Sequence, residues 1–291
     1  MFLRACLYVL TMTAVMVLVS TIAGFFCKIY GVDLRSSKYI YLLFYFTLLG
    51  FGGSFISLFL SKYFVKKMMN VRVITHPMNQ QETWLVETIR LLAIKKGVNT
   101  PEVGIYNSPE LNAFATGSSK NNSLVAVSTG LLNSMEQDEI EAVLGHEMSH
   151  VANGDMVTQC LLQGIVNTFV YAFAYIIALM ATPKRSKNLI DNNLVFYSTK
   201  SFLQIIFGIF GSIIVLWFSR IREYRADAGS ADIFGNQAMI KALIALKSQK
   251  VLPKPDGVKA LCIAGVQNFS ELFMTHPPID KRIKALQKRI K

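Results

Sequence analysis

The sequence predicts a mostly helical α+β membrane protein, and three observations carry that prediction. Uncharged stretches long enough to cross a bilayer recur four times. A polar segment with strand-like runs separates the first pair of stretches from the second. One amphipathic helix in that segment carries His146-Glu147-Met148-Ser149-His150. The composition agrees: 52% hydrophobic and 16% charged residues, with a mean hydropathy of +0.39, are apolar beyond what a soluble domain shows.

A membrane span needs about 20 mostly apolar residues. Ala5–Cys27 lies between Arg4 and Lys28, Tyr39–Ser61 between Lys38 and Lys62, Met156–Pro183 between Asp155 and Lys184, and Ser201–Ser219 between Lys200 and Arg220. Ala5–Cys27 exceeds the apolar core of a cleaved signal, about 7–15 residues, and no small-residue cleavage site follows it, so a retained span is expected. In the second stretch Gly50, Gly52 and Gly53 permit close helix contact. The third carries Thr158, Gln159, Gln163, Asn167 and Thr168 in its first half, which suits a helix packed inside a bundle. The resulting division is a transmembrane hairpin (1–61), a polar part (62–155), a second hydrophobic hairpin (156–219) and a second polar part (220–291).

The net charge of +12 does not point to nucleic acid, for which no motif is present. Its lysines and arginines cluster beside the spans, at Lys62, Lys66, Lys67, Arg220, Arg222 and Arg225, as in proteins that meet anionic headgroups. Charge counting leaves orientation open, because the segments 28–38 and 184–200 are as basic as the opposite flanks. Cys6, Cys27, Cys160 and Cys262 form neither a disulfide framework nor a metal motif, which fits a reducing compartment for the polar parts.

Gln80–Lys96 reads as an amphipathic helix with Trp84, Leu85, Ile89 and Leu92 inward, and Thr100-Pro101 breaks the chain. Val103–Tyr106 is a strand and Asn107-Ser108-Pro109 a turn. Leu111–Thr116 and Ser123–Ser128 are strands joined by a turn over Gly117–Asn122. Asn112-Ala113-Phe114 suits an edge strand that holds an extended peptide by backbone pairing, and an ordinary sheet strand is equally open. A helix is expected from Met135 to Ala152, with Ser134 as cap, Gln137 completing the box and Asn153-Gly154 as the stop. Residues 221–232 continue the fourth span as one helix, and 236–250 and 279–290 are further helices.

On the Met135–Ala152 helix His146 and His150, at i and i+4, share a face and form half of a zinc-type site. Ile140, Val143, Leu144, Met148 and Val151 make an apolar stripe, and Glu147 falls inside it. A carboxylate there is costly unless a charge meets it; a metal-bound water does so, and gives the Glu a proton to take. Glu223 is a candidate third ligand. Asp227, at i+4 from it, can accept from the far nitrogen of a ligand histidine. The residues alone leave open that both face solvent and pair with Arg222 or Arg225. His276, beside Pro277-Pro278, is a candidate to stabilise an oxyanion or a loop histidine capping a helix, and Arg282 is a second candidate for the oxyanion. His76 is incidental.

Four motifs in order, Asn112-Ala113-Phe114-Ala115-Thr116-Gly117, His146 to His150, Glu223-Tyr224-Arg225-Ala226-Asp227, and His276-Pro277-Pro278 with Arg282-Ile283, carry a family likeness over essentially the whole chain. The chain resembles the M48 family of zinc metallopeptidases, in its bacterial membrane-bound HtpX group; the family also contains the eukaryotic CAAX-prenyl endopeptidase. The resemblance implies a zincin-like catalytic domain, formed by residues 62–155 and 220–291, with one Zn2+ per subunit held by His146, His150 and Glu223. It implies Glu147 as catalytic base, a substrate groove at Asn112, Ala113 and Phe114, and assistance from His276 and Arg282 at the transition state. It further implies a cytoplasmic catalytic domain in the bacterial inner membrane that cleaves misfolded or damaged membrane proteins under stress.

Two rival functions differ in kind. A zinc protease cutting inside the bilayer would set its motif in an apolar span, but Glu136, Asp138, Glu139 and Glu141 precede this one and Asn153 and Asp155 follow it. A non-catalytic, metal-regulated membrane adaptor has no use for Glu147, and a transporter would carry paired charges in its spans. Natural substrates and oligomeric state are not written in the sequence.

Overall fold

The computed structural model describes residues 21, 37–182, 189–248 and 276–289. Apart from Thr21, the stretch Ala5–Cys27 lies outside the described residues. In chain order the elements are α1 (Ser37–Met68), β1 (Arg72–Val73), α2 (Gln80–Lys96), β2 (Glu102–Tyr106), β3 (Ala113–Ser119), β4 (Asn122–Ser128), α3 (Thr129–Ser134), α4 (Gln137–Asn153), α5 (Asp155–Ala181), α6 (Leu189–Phe234), α7 (Asn236–Ser248) and α8 (Ile279–Lys288). They form two compact units. One holds the described residues up to Ser57 with Gln159–Val215; the other holds Leu58–Thr158 with the described residues from Leu216 onward.

The first unit is helical. Phe44–Met68, Asp155–Ala181 and Leu194–Phe234 are each long and apolar enough to cross a membrane, so three of the four expected spans are seen as helices. Contact between α1 and α5 centres on small residues. A Cβ at Gly50 would stand 2.6 Å from the Thr168 backbone nitrogen and 2.9 Å from the Gly164 carbonyl oxygen, and one at Gly164 would run into the Phe51 ring. Gly52 and Gly53 face open space, so of the three glycines only Gly50 makes the expected contact. The polar residues of α5 are internally satisfied, as a dry surrounding demands. Thr168 Oγ1 donates to the Gly164 carbonyl at 2.8 Å, and Gln163 Nε2 donates to Asn167 Oδ1 at 2.8 Å.

The second unit packs helices on a four-stranded sheet of order β1-β2-β4-β3, with β2 and β4 parallel and the other pairs antiparallel. Central β4 is buried from Ser123 to Ser128. One sheet face, through Val103, Val125 and Val127, meets Leu85, Ile89 and Leu92 of α2 and the stripe Ile140, Val143, Leu144, Met148 and Val151 of α4. β3 is an edge strand. It runs three residues beyond the predicted Thr116, and the predicted Gly117–Asn122 turn shrinks to Lys120-Asn121. The reason is Gly117: its φ of 151° sits at a bulge in the β3·β4 pairing, where a side chain would collide with the Asn122 and Ser123 backbone, so the strand bends and continues.

The α1·α5 contact predicts an asymmetric outcome. Gly50→Leu overpacks it and costs about 1–3 kcal/mol, seen as a lowered thermal midpoint of the detergent-solubilised protein, whereas Gly52→Leu leaves the midpoint nearly unchanged.

Candidate metal centre

α4 begins two residues later than predicted, at Gln137 instead of Met135. Its N-cap is Glu136, whose backbone N–H donates to Glu139 Oε2 at 3.0 Å. Ser134, the expected cap, instead ends α3, which is capped by Ser128 Oγ accepting from Leu131 N–H at 3.0 Å. Two capping signals lie close together there, and the acidic one wins because Asp138 and Glu139 also complement the positive helix start. At the other end Gly154, with φ of 72°, caps α4 by donating to the His150 and Val151 carbonyls. This left-handed residue turns the chain so that α5 starts at once.

The C-terminal part of α6 lies tightly against α4, and small residues make that possible. Ser230 Oγ donates to the Ala142 carbonyl at 2.6 Å. A Cβ on Gly145 would come within 2.7 Å of Ser230 Oγ and 3.0 Å of the Phe234 ring, and one on Gly229 within 2.6 Å of Ser149 Oγ. This approach sets Asp227 and Glu223, about one and two turns earlier on α6, against the two imidazoles.

Three donor atoms converge. His146 Nε2 and His150 Nε2 are 3.2 Å apart, Glu223 Oε2 is 3.5 Å from the first and Glu223 Oε1 3.3 Å from the second. Ligand bonds of about 2.0–2.1 Å in a tetrahedral site set neighbouring donors roughly 3.3–3.4 Å apart, so the spacing fits a small divalent cation. The far ring nitrogens are held as such a site requires. His146 Nδ1 lies 2.9 Å from Asp227 Oδ1 and His150 Nδ1 lies 2.6 Å from Asp155 Oδ2. An ionised carboxylate only accepts, so each Nδ1 donates and each Nε2 lone pair faces the centre. Glu223 Oε2 is buried without a hydrogen bond; His276 Nδ1 stands 2.7 Å from it but lacks the alignment for one. A buried acceptor and two converging lone pairs are what a cation would satisfy.

The electrostatics agree. Burial opposes charge on His146, yet the Asp227 and Glu223 carboxylates hold its pKa above the ordinary value. For His150 burial is likewise overcome, by Asp155 and Glu223, and its pKa is pushed up to about 10. The surrounding field calls for positive charge at this point. Half-buried Glu147 is pushed above the usual carboxylate range by its desolvation, although both histidines pull the other way.

His146, Glu147, Glu223, His276 and Arg282 line one cleft, with Ala113 of β3 and Asn112 of the loop before it on its wall. Phe114, expected in the same groove, is not brought there: its ring packs on Tyr106 at 5.5 Å between centroids, among Leu124 and Ala126. Arg282 is buried and forked onto Asp227, Nε to Oδ2 at 2.8 Å and Nη2 to Oδ1 at 2.5 Å, with Nη1 3.6 Å from Glu223 Oε2. Glu223 and Asp227 are both buried, which removes the reading of a solvated helix face. Arg222 donates to the Asp155 carbonyl at 2.8 Å. Asp155 itself was read in the sequence as the boundary of an apolar run and as part of the polar flank of the motif, not as a partner of His150; its signal, an acid five residues past the second histidine and just after a glycine stop, is weak by itself.

Fold and donor set thus define a membrane protein in which an H-E-x-x-H motif and a distant glutamate form a group that could hold a metal ion. The family model described as Peptidase family M48 matches residues 79–290. Protease HtpX of Idiomarina loihiensis is 48% identical over 287 residues, covering 98% of this chain and 99% of that protein. Protease HtpX of Salmonella arizonae is 46% identical over 291 residues, covering 98% and 97%. The chain therefore belongs to peptidase family M48. Among solved structures, S. mikatae Ste24p shares the fold at a TM-score of 0.62 and 20% identity, over 98% of this chain and 66% of that one.

Asp155→Ala frees the His150 ring to rotate and to change tautomer. Zinc affinity, measured by competition with a chelating dye, is expected to fall about 10–100-fold with the helical circular dichroism unchanged.

Proposed function

We propose that this chain is a membrane-anchored zinc endopeptidase, with its catalytic part at the cytoplasmic face of the bacterial inner membrane, that hydrolyses peptide bonds of misfolded or damaged membrane proteins. One observation carries the reading: Glu147 opens onto the same cleft as His146 and Glu223, two of the three donors that converge with His150. A structural metal site would need no such carboxylate.

Zinc held by these three residues would bring the pKa of its bound water to about 7. Glu147 then receives the water's proton on a carboxylate whose affinity burial has already raised, and passes it to the departing amine. Asp227 and Asp155, by accepting from Nδ1, would fix the tautomer in which His146 and His150 offer their Nε2 lone pairs to the metal. Arg282 fixes Asp227 and so the His146 ring. His276, exposed at the cleft mouth, is placed to donate to a developing oxyanion. The free edge of β3, which starts at Ala113, can pair with an extended substrate.

Glu223 stands on a helix whose preceding part is apolar enough to cross a membrane, and α5, which opens at Asp155, is another such helix. Both support action beside the bilayer. Cleavage within it is disfavoured, because the start of α4 carries exposed Glu136 and Asp138 paired with Lys241.

Glu147→Gln is expected to retain one zinc per chain and to lose cleavage of casein by about 10²–10⁴-fold, the range for a positioned base. Near-normal cleavage by that variant would remove the mechanism. In the unaltered protein 1,10-phenanthroline should abolish cleavage, and added zinc restore it.

A further inference from the structure

Two carboxylates hold the far ring nitrogens of the histidines, and the chain secures them differently. Asp227 is gripped on its carboxylate by Arg282. Asp155 is gripped on its backbone: Arg222 Nη1 donates to the Asp155 carbonyl at 2.8 Å, while Nη2 donates to Ser219 Oγ at 3.2 Å, one turn back on α6. The Phe218 ring backs this fork, its centroid 5.6 Å from Arg222 Cζ. Arg222 and Asp155 are both buried. A guanidinium taken out of water is costly unless fixed partners meet it, and here the partners are drawn from two helices. Ser219 and Asp155 each stand where an apolar run gives way to polar chain.

We infer that Arg222 is a positioning residue of the metal centre, acting on His150 through Asp155. The inference rests on the peptidase reading and deepens it. Asp155 opens α5, and the single left-handed residue Gly154 separates it from the end of α4. A rotation at that turn would swing the Asp155 carboxylate off His150 Nδ1, which is 2.6 Å away. The Arg222 fork closes this freedom. Anchored to Ser219 on its own helix and to Asp155 on the next, it ties the start of α5 to α6. Glu223 is the adjoining residue of α6 and stands 3.3 Å from His150 Nε2. The helix that supplies the third donor thus also holds, through one guanidinium, the acceptor that selects the tautomer of the second histidine. A lysine does not reproduce this, because its ammonium is a point donor on a flexible stem and lacks the planar fork.

The test measures zinc affinity of the full chain in detergent, by competition with a chelating dye, so it does not depend on cleavage. Arg222→Met keeps the stem and removes the fork; it should weaken zinc binding about 10–100-fold, the range for losing a partner behind a metal ligand. Arg222→Lys should recover only part of that loss. In the Asp155→Ala background the same Arg222→Met change should cost about 3-fold or less, because the carboxylate through which it acts is gone. With cobalt(II) bound in place of zinc, Arg222→Met and Asp155→Ala should alter the visible absorption spectrum in the same way, which a loss of packing elsewhere would not do. Should Arg222→Met fail to fold, Ser219→Ala removes the acceptor of one arm and should weaken zinc binding about 2–5-fold. Unchanged zinc affinity in these variants, full recovery by lysine, or an undiminished cost in the Asp155→Ala background overturns the assignment. An unaltered protein that binds no zinc overturns the peptidase reading itself, a result distinct from variants that bind as well as the unaltered chain.

Discussion

Everything in the centre depends on how closely α4 and α6 approach. Gly145 and Ser149 on one helix face Ser230 and Gly229 on the other, and the Ser230 hydroxyl bonds directly to the α4 backbone. Larger residues would push α6 outward, and Glu223 and Asp227 would lose the imidazoles. The packing also brings carboxylates into a place where they are expensive. Glu223, Asp227 and Asp155 are buried and Glu147 is half-buried, against two buried guanidiniums, Arg282 facing Asp227 and Arg222 beside Asp155. Removing an ion from water costs several kcal/mol even after relaxation. Two imidazoles drawn to protonation offset part of that, and a divalent cation would offset it better. In such a site metal binding and local folding become one process.

Support for the ligands comes from separate parts of the chain, which explains why the centre needs a whole domain. Asp227 orients His146 from α6, and Arg282 of α8 secures Asp227 in turn. Asp155 orients His150 from the first residue of α5, and Arg222 of α6 holds the Asp155 backbone. The left-handed Gly154 is what lets a residue so near in sequence double back onto the histidine before it. A ring held by an acceptor-only group has one tautomer and one orientation, so these carboxylates decide in advance which nitrogen faces the cation.

What could be read in the sequence was what local periodicity records. The i, i+4 spacing of His146 and His150, the inward position of Glu147, the same spacing of Glu223 and Asp227, the long apolar helices and the β3·β4 hairpin follow from geometry within one element. What could not be read depended on competition or on turns. Ser134 and Glu136 both carry capping chemistry, and a short helix after β4 used up the serine. Asp155 became a partner of His150 only through the Gly154 turn. Phe114 was grouped with Asn112 and Ala113 because the three were read as one edge strand and the family resemblance puts them together in the substrate groove. The strand starts at Ala113, Asn112 belongs to the preceding loop, and the aromatic ring finds Tyr106. For Arg282 the sequence suggested a role at the transition state, but no sequence rule shows that its guanidinium would be occupied by Asp227.

The open edge of β3 belongs in the same argument. Unpaired edges are usually shortened, charged or covered, because they recruit other chains. β3 spans Ala113–Ser119, no strand pairs with its outer side among the described residues, and the chain at its start lines the cleft. On the proposed reading this exposure is the substrate site. A folded helix or sheet has no free backbone to offer such an edge, whereas a locally unfolded segment has a continuous run of it. Selection would then act on whether the backbone is available, so intact neighbours in the membrane are spared because their hydrogen bonds are already made.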